Sequence, residues 1–314
     1  MFIVLNRCRC YTRKKNSLQI WGNQMYRILS TANNNLHVQI NDFNPFHTFL
    51  CGQCFRWNYD GEQIWTGVAL GRLVRLKWDG EICIFFDMTE KEFIGKWVHY
   101  FDLDTDYSTI KEILSKKDEH LKKAVSFGYG IRLLRQDLWE VILSFIISQN
   151  NGIPRIKRII ETLSEHYGEK IPGESDKYAF PAPYAIARST LQDLNICRGG
   201  YRCRYILSAA ERLSNSPFLL DEMKKLPAEK TRELLLSFTG IGEKVADCIL
   251  LYSGLDRNAF PIDRWVKRVI ETLYFNKETD VNTIRAFSRD YFGELSGIAQ
   301  QYLFYYAREN RIGL

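Results

Sequence analysis

The hydrophobic period changes once along this chain of 314 residues, and that change restricts the fold more than any other feature. From about Leu36 to Asp87, runs such as Gln63 to Ala69, Arg72 to Trp78 and Glu81 to Phe86 are separated by Asp60-Gly61, Leu70-Gly71 and Asp79-Gly80. Turns about every ten residues predict an antiparallel meander. After Thr89 apolar positions recur three and four apart, through 90–101, 108–127, 137–148, 153–167, 201–213, 229–238, 243–253, 264–275 and 280–310. That period predicts helices almost to the C-terminus. The expectation is an α+β chain, with a basic, disordered extension over 1–35, an N-terminal antiparallel β-sheet domain with helices over 36–130, and an all-α body over 131–314.

With 46% apolar and 25% charged residues the chain can bury substantial cores, which excludes disordered and collagen-like classes. No apolar run approaches the roughly 18 residues of a membrane span, so no membrane partner is expected. Phe2-Ile3-Val4-Leu5 is too short for a signal peptide and precedes the basic residues instead of following them. Eight cysteines without a secretory signal read as reduced thiols. The net charge of +6 is misleading, because residues 1–41 hold Arg7, Arg9, Arg13, Lys14, Lys15 and Arg27 with no acid. The remaining chain balances at 37 basic and 37 acidic residues. Nucleic-acid binding must therefore be argued from local groups. Within the extension, Met25 is an alternative start, and organelle targeting is a second reading of its composition.

Metal and cofactor motifs are missing. His37, His47, His99, His120 and His166 form no His-Glu-x-x-His pattern, and Cys51-x-x-Cys54 has no second pair at zinc-site spacing. Gly128-Tyr129-Gly130 lacks the third glycine of a dinucleotide loop, and Gly240 to Lys244 lacks Walker A spacing. Neither a metal nor an organic cofactor is expected.

The informative segment is Leu234 to Tyr252, two amphipathic helices joined by Thr239-Gly240-Ile241-Gly242. Two glycines around one apolar residue permit a tight turn whose amides, with the positive helix end, can hold a DNA phosphate without a basic side chain. An ordinary helix–helix turn is the plainer alternative. Lys244 lies in the first turn of the second helix, where the positive helix end should lower its pKa and favour a nucleophilic amine. Pro261-Ile262-Asp263 precedes another helical run, so Asp263 can act as an N-cap and can also face positive charge developing at a sugar carbon.

Helix, Gly-x-Gly hairpin, helix and Pro-x-Asp together resemble the helix-hairpin-helix DNA glycosylase superfamily. The pair Lys244 and Asp263 is similar to its bifunctional, Schiff-base-forming branch. Gly52-Gln53-Cys54-Phe55-Arg56-Trp57, Arg132 to Asp137, Ser148 to Asn151 with Arg155, Gly200 to Tyr205, Lys244 to Cys248, and Ala299-Gln300 with Phe304 resemble the 8-oxoguanine DNA glycosylase family in particular. The likeness runs in order from about residue 36 to 308.

The resemblance implies a base-excision repair enzyme that flips 8-oxoguanine out of duplex DNA and excises it. It implies Lys244 as the nucleophile at C1′ and Asp263 as the carboxylate that stabilises the oxocarbenium ion, with β-elimination after the base departs. It implies that the Gly52 carbonyl accepts from N7–H, that Gln300 reads the Watson–Crick edge, that Phe304 and Cys248 cover the two faces of the base, and that Pro261 lines the pocket. On the duplex it implies Asn150 filling the vacated space, Tyr201 as a wedge, Arg155 and Arg202 donating to the orphaned cytosine, and Gly240 and Gly242 at a phosphate. Gly152 and Arg264-Trp265 depart from the family pattern, and no cysteine follows Cys248, so an iron–sulfur cluster is not expected. The implied protein is a monomer located inside the cell with DNA, in the bacterial cytoplasm or nucleoid or in the eukaryotic nucleus. Two alternatives are a related glycosylase for another damaged purine and a DNA-binding module without catalysis.

Overall fold

The computed structural model describes residues 25–174 and 176–313. Six antiparallel strands, β1 (Tyr26–Ala32), β2 (Asn35–Ile40), β3 (Trp57–Tyr59), β4 (Ile64–Ala69), β5 (Arg72–Trp78) and β6 (Ile82–Phe85), form one sheet in the order β1-β2-β6-β5-β4-β3. Alternation sets its inner face: Leu36, Val38 and Ile40 of β2 are buried while Asn35, His37 and Gln39 are only partly so. That face packs on Phe49, Trp57, Phe93, Trp97 and Phe101 in the first of two hydrophobic cores.

The disordered extension expected up to residue 35 is corrected from Tyr26 onward. β1 pairs with β2 through a two-residue turn in which Asn33 and Asn34 both have positive φ, +51° and +63°. Asparagine tolerates that conformation, which two-residue hairpins require. The strand is an exposed edge with no buried residue, so it lacks the alternation that identifies a strand in sequence. The expectations for residues 1–24, a disordered leader and a targeting segment, lie outside the described residues. A second correction is helix α1 (Pro45–Leu50), inside the stretch read as strands. Asn44 caps it by accepting from the Phe46 amide at 2.9 Å, with Pro45 in the first turn.

The helical body comprises α2 (Tyr107–Lys117), α3 (Glu119–Phe127), α4 (Leu138–Ser148), α5 (Ile153–Tyr167), α6 (Arg202–Asn215), α7 (Ala228–Leu236), α8 (Glu243–Tyr252), α9 (Arg264–Ile270), α10 (Val281–Phe292) and α11 (Ser296–Asn310), with shorter helical segments between them. Two of the long helical runs break. Asp118 ends α2 and caps α3 by accepting from Leu121 at 2.7 Å, and Gly293, at φ +62°, separates α10 from α11. The most apolar helix, α4, is buried from Leu138 to Ile147 except at Glu140 and forms the middle of the second core, which also takes in Tyr107, Leu114 and Leu121. Among the described residues no helix is long and apolar enough to cross a membrane.

The two cores meet at residues 51–54. Cys51 belongs to the helical core and Cys54 to the sheet core, so Gly52 lies on the seam. Buried Gln53 locks that seam, donating to the carbonyls of Thr48 and Arg132 at 2.8 Å and accepting from the Leu134 amide at 2.8 Å. Asp102, 1% exposed, accepts from Tyr107 at 2.9 Å and pairs with Arg135 at 2.7 Å and with Arg257.

Candidate active site

α7 and α8 are joined by the Gly-x-Gly turn. Gly240 has φ +84°, and a Cβ there would overlap the ring of Tyr205, so both backbone conformation and close approach require glycine. Ile241 anchors the turn in the core, and extended Gly242 caps α8. The rotation of α8 is fixed by Asp247, fully buried and paired with Arg232 of α7 and with Arg285 of α10 at 3.1 Å. With Asp247 engaged there, Lys244 and Cys248, one helical turn apart, share a neighbouring face.

Lys244 lies one helical turn from Cys248, close enough for the sulfur to influence its charge, and the ammonium lies 5.7 Å from the centroid of the Phe145 ring. Asp263 caps α9, accepting from the Val266 amide at 2.8 Å, and its carboxylate acts on both Lys244 and Cys248. The charges converge as the sequence suggests, but the proton balance does not. The expected lowering of the Lys244 pKa is overturned: Cys248 and then Asp263 hold it above the ordinary lysine value, against the pull of burial. Burial pushes the Cys248 thiol up to about 11, so at neutral pH it is uncharged and its effect on Lys244 belongs to alkaline solution, leaving Asp263 as the charge that favours the ammonium.

Across this group stands α11. Gln300 is 3% exposed and donates weakly to the Pro261 carbonyl at 3.5 Å, while its Oε1 is buried without a partner among the described residues. A buried acceptor left unmatched costs about 1–3 kcal/mol, so this oxygen carries an unmet demand for a donor. Gly52 has φ +93°, and a Cβ on it would sit 3.5 Å from Phe304 and 3.4 Å from Nη1 of Arg308. Those distances are ordinary contacts, so it is the positive φ that requires glycine here, beside the Phe304 ring. The Tyr252 hydroxyl senses Cys248, Cys51 and Asp263 together, which brings the seam and the α8 group around one side chain.

Sequence reasoning missed the groups that hold these positions. Gln301 donates to the Cys51 carbonyl at 3.1 Å and accepts from Tyr252 at 2.8 Å, fixing the residue before Gly52. Arg308 donates to the Leu50 carbonyl at 2.7 Å. The available signals were the polar pair Gln300-Gln301 in an apolar helix and a cation four residues after Phe304.

On the outer surface Asn150 is exposed at φ +46°, Arg155 is exposed and donates to the Arg198 carbonyl at 3.1 Å, and Tyr201 is 51% exposed. Arg202 is placed differently from Arg155. It is 3% exposed beneath the Tyr201 ring, with donors bound to the carbonyls of Gln149, Asn150 (2.9 Å) and Gly199 (3.3 Å). Those bonds engage four of the five guanidinium N–H groups and make Arg202 a brace between Tyr201 and Asn150. Among the described residues no group of three or more His, Cys, Asp or Glu could hold a metal.

Residues 35–142 match the family model for the 8-oxoguanine DNA glycosylase N-terminal domain, and residues 143–292 match that of the HhH-GPD superfamily of base excision DNA repair proteins. Gln300 and Phe304 lie beyond both matches. The crystal structure of Clostridium acetobutylicum 8-oxoguanine glycosylase/lyase with double-stranded DNA containing cytosine opposite 8-oxoG superposes with a TM-score of 0.87 and 41% identity, covering 92% of this chain and all of that one. A probable N-glycosylase/DNA lyase of Methanothermobacter thermautotrophicus is 29% identical over 72% of this chain and 78% of its own length. The N-glycosylase/DNA lyase of Saccharomyces cerevisiae is 29% identical over 71% of this chain, which spans 66% of the yeast protein.

Proposed function

Because this chain belongs to the 8-oxoguanine DNA glycosylase family of the helix-hairpin-helix superfamily, we propose that it excises 8-oxoguanine from duplex DNA and then cleaves the strand. One observation carries the reading. A half-buried lysine beside Cys248 feels the Asp263 carboxylate, and Pro261, two residues before that aspartate, is joined to Gln300, an amide whose oxygen has no partner among the described residues.

Lys244 begins protonated. As the C1′–N9 bond breaks, the Asp263 carboxylate faces the positive charge developing at the sugar, and the Lys244 ammonium passes a proton to the departing purine. The resulting amine attacks C1′, the sugar ring opens to an imine, and loss of a C2′ proton expels the 3′ phosphate. Gln300 Oε1 accepts from the Watson–Crick edge of the extruded base, with Phe304 and Cys248 on its two faces and Pro261 beside it. The Gly52 carbonyl accepts from N7–H, the proton that guanine lacks. Asn150, Tyr201 and Arg155 face the duplex, and the Gly240–Gly242 turn meets a phosphate. All these groups come from one chain, so a monomer acting wherever the cell keeps its DNA suffices.

Borohydride should trap a covalent adduct between this protein and an 8-oxoguanine duplex, and Lys244→Gln should abolish it. Trapping that survives the substitution removes Lys244 as nucleophile. Preferential release of an alkylated purine from a lesion panel would move the assignment to another branch of the superfamily.

A further inference from the structure

Cys197 and Cys203 bracket the segment Arg198-Gly199-Gly200-Tyr201-Arg202, and their sulfur atoms lie 4.0 Å apart. Both thiols point at one acceptor, the Leu194 carbonyl, at 3.1 and 3.5 Å. A Cβ on Gly199 would sit 3.3 Å from one sulfur and 2.9 Å from the other, so the backbone between the cysteines lies against both and glycine leaves room for them. Cys203 occupies the first turn of α6, where the helix dipole favours a thiolate. Both thiols are 3% exposed, and when the single Cys197 proton turns from the Leu194 carbonyl to the neighbouring sulfur, that hydrogen bond is the main influence lowering Cys203 to about 7 while Cys197 is pushed upward. One reactive sulfur and one adjacent thiol are the components of a reversible disulfide.

We propose that Cys197 and Cys203 form an oxidant-driven disulfide that pulls together the two ends of the Tyr201 loop and weakens its engagement of DNA. The co-reactant is a peroxide. The Cys203 thiolate attacks the peroxide oxygen, the O–O bond breaks, and Cys203 becomes a sulfenic acid as the other oxygen leaves as water or an alcohol. The Cys197 thiol then attacks that sulfur, forms the S–S bond and expels water. Two thiols lose two electrons and two protons, and the peroxide is reduced.

The mechanical effect follows from what the loop carries. A disulfide needs sulfur atoms about 2 Å apart, so closure draws the Cys197 turn and the start of α6 toward each other. Tyr201 and Arg202 lie on the segment being tightened, and Arg202 is bonded to the carbonyls of Gln149 and Asn150. Tension therefore reaches Tyr201 directly and Asn150 through Arg202. Lys244 and Asp263, on α8 and at the start of α9, lie outside the closed loop. The disulfide itself is independent of the proposed function; only its consequence for DNA rests on that reading.

The test is to treat the full chain with hydrogen peroxide, block the remaining thiols and map the products by peptide mass spectrometry. The expected product is a peptide pair joined through Cys197 and Cys203, two mass units lighter than the reduced pair and absent after dithiothreitol. Oxidation confined to other cysteines, or sulfinic acid at Cys203 with no bridge, overturns the proposal. For the consequence, the oxidised protein should show a several-fold higher KM for an 8-oxoguanine duplex with kcat little changed, reversed by reductant and absent in Cys197→Ser. A bridged protein with unchanged KM refutes the loop effect. Failure of all 8-oxoguanine excision with the bridge still forming would count against the functional reading alone.

Discussion

At the scale of single residues, Asp263 combines a structural and a chemical task that one substitution can separate. Its side chain caps α9, and asparagine caps as well as aspartate does. Asp263→Asn should therefore shift stability by no more than about 0.5 kcal/mol, while single-turnover excision falls by about 10² to 10³ through loss of the negative charge. A drop in melting temperature matching the loss of rate would reduce Asp263 to a cap. The residue types at this site were readable because their spacing in the chain is diagnostic: Lys244 after a Gly-x-Gly turn, and Pro-x-Asp before a helix. Their proton balance was not readable. The end of α8 alone would lower the Lys244 pKa, whereas Asp263, which helps hold it up, comes from nineteen residues further along. Arg202 shows the same limit, since a sequence shows that an arginine is present and not that most of its donors are bound to the backbone.

At the scale of elements, helix α1 connects the sheet unit to the body through His47, whose Nδ1 accepts from the Gly130 amide at 3.1 Å. That bond requires the neutral ring, and burial, followed by the Lys111 charge, lowers the His47 pKa to about 4. The unfolded chain binds this proton more readily, so the stabilisation is complete above the ordinary histidine pKa and is lost as pH falls through the folded value. Between about pH 6.5 and 4 the histidine accounts for about 3 kcal/mol of declining stability. Chemical denaturation across that range should show a flatter curve for His47→Asn, which keeps an acceptor but does not titrate. Superimposable curves would show that the ring is not titrating at this contact. The long helices were legible because each carries a buried stripe over at least two turns, as α5 does with Ile156, Ile159, Ile160 and Leu163. β1 was not legible, for the edge strand buries nothing that could leave a pattern.

For the whole molecule, the junction of the two cores rests on a few polar residues. Asp102, itself at φ +55°, receives Arg135 from the segment entering the helical body and Arg257 from the loop leading to Pro261 and Asp263. Asp102→Ala would leave two guanidinium groups facing a buried gap and should destabilise the protein by about 3 to 5 kcal/mol, read as a lower midpoint in urea. A loss below 1 kcal/mol would mean that solvent already compensates these charges. The division into a β-rich part and a helical part followed from the change of period at residue 89. The way the parts dock did not, because Gln53, Asp102 and Arg132 have partners tens of residues away that no local pattern encodes.

The position of Gly52 between those cores separates recognition from chemistry. Lys244, Cys248 and Asp263 all belong to the helical body, whereas the carbonyl assigned to sensing N7–H belongs to the join. A slight slip of one body past the other, too small to melt either, would leave the amine and carboxylate in register while the sensing carbonyl drifts. Heat should therefore make this protein indiscriminate before it makes it idle, and undamaged guanine would be the first base at risk.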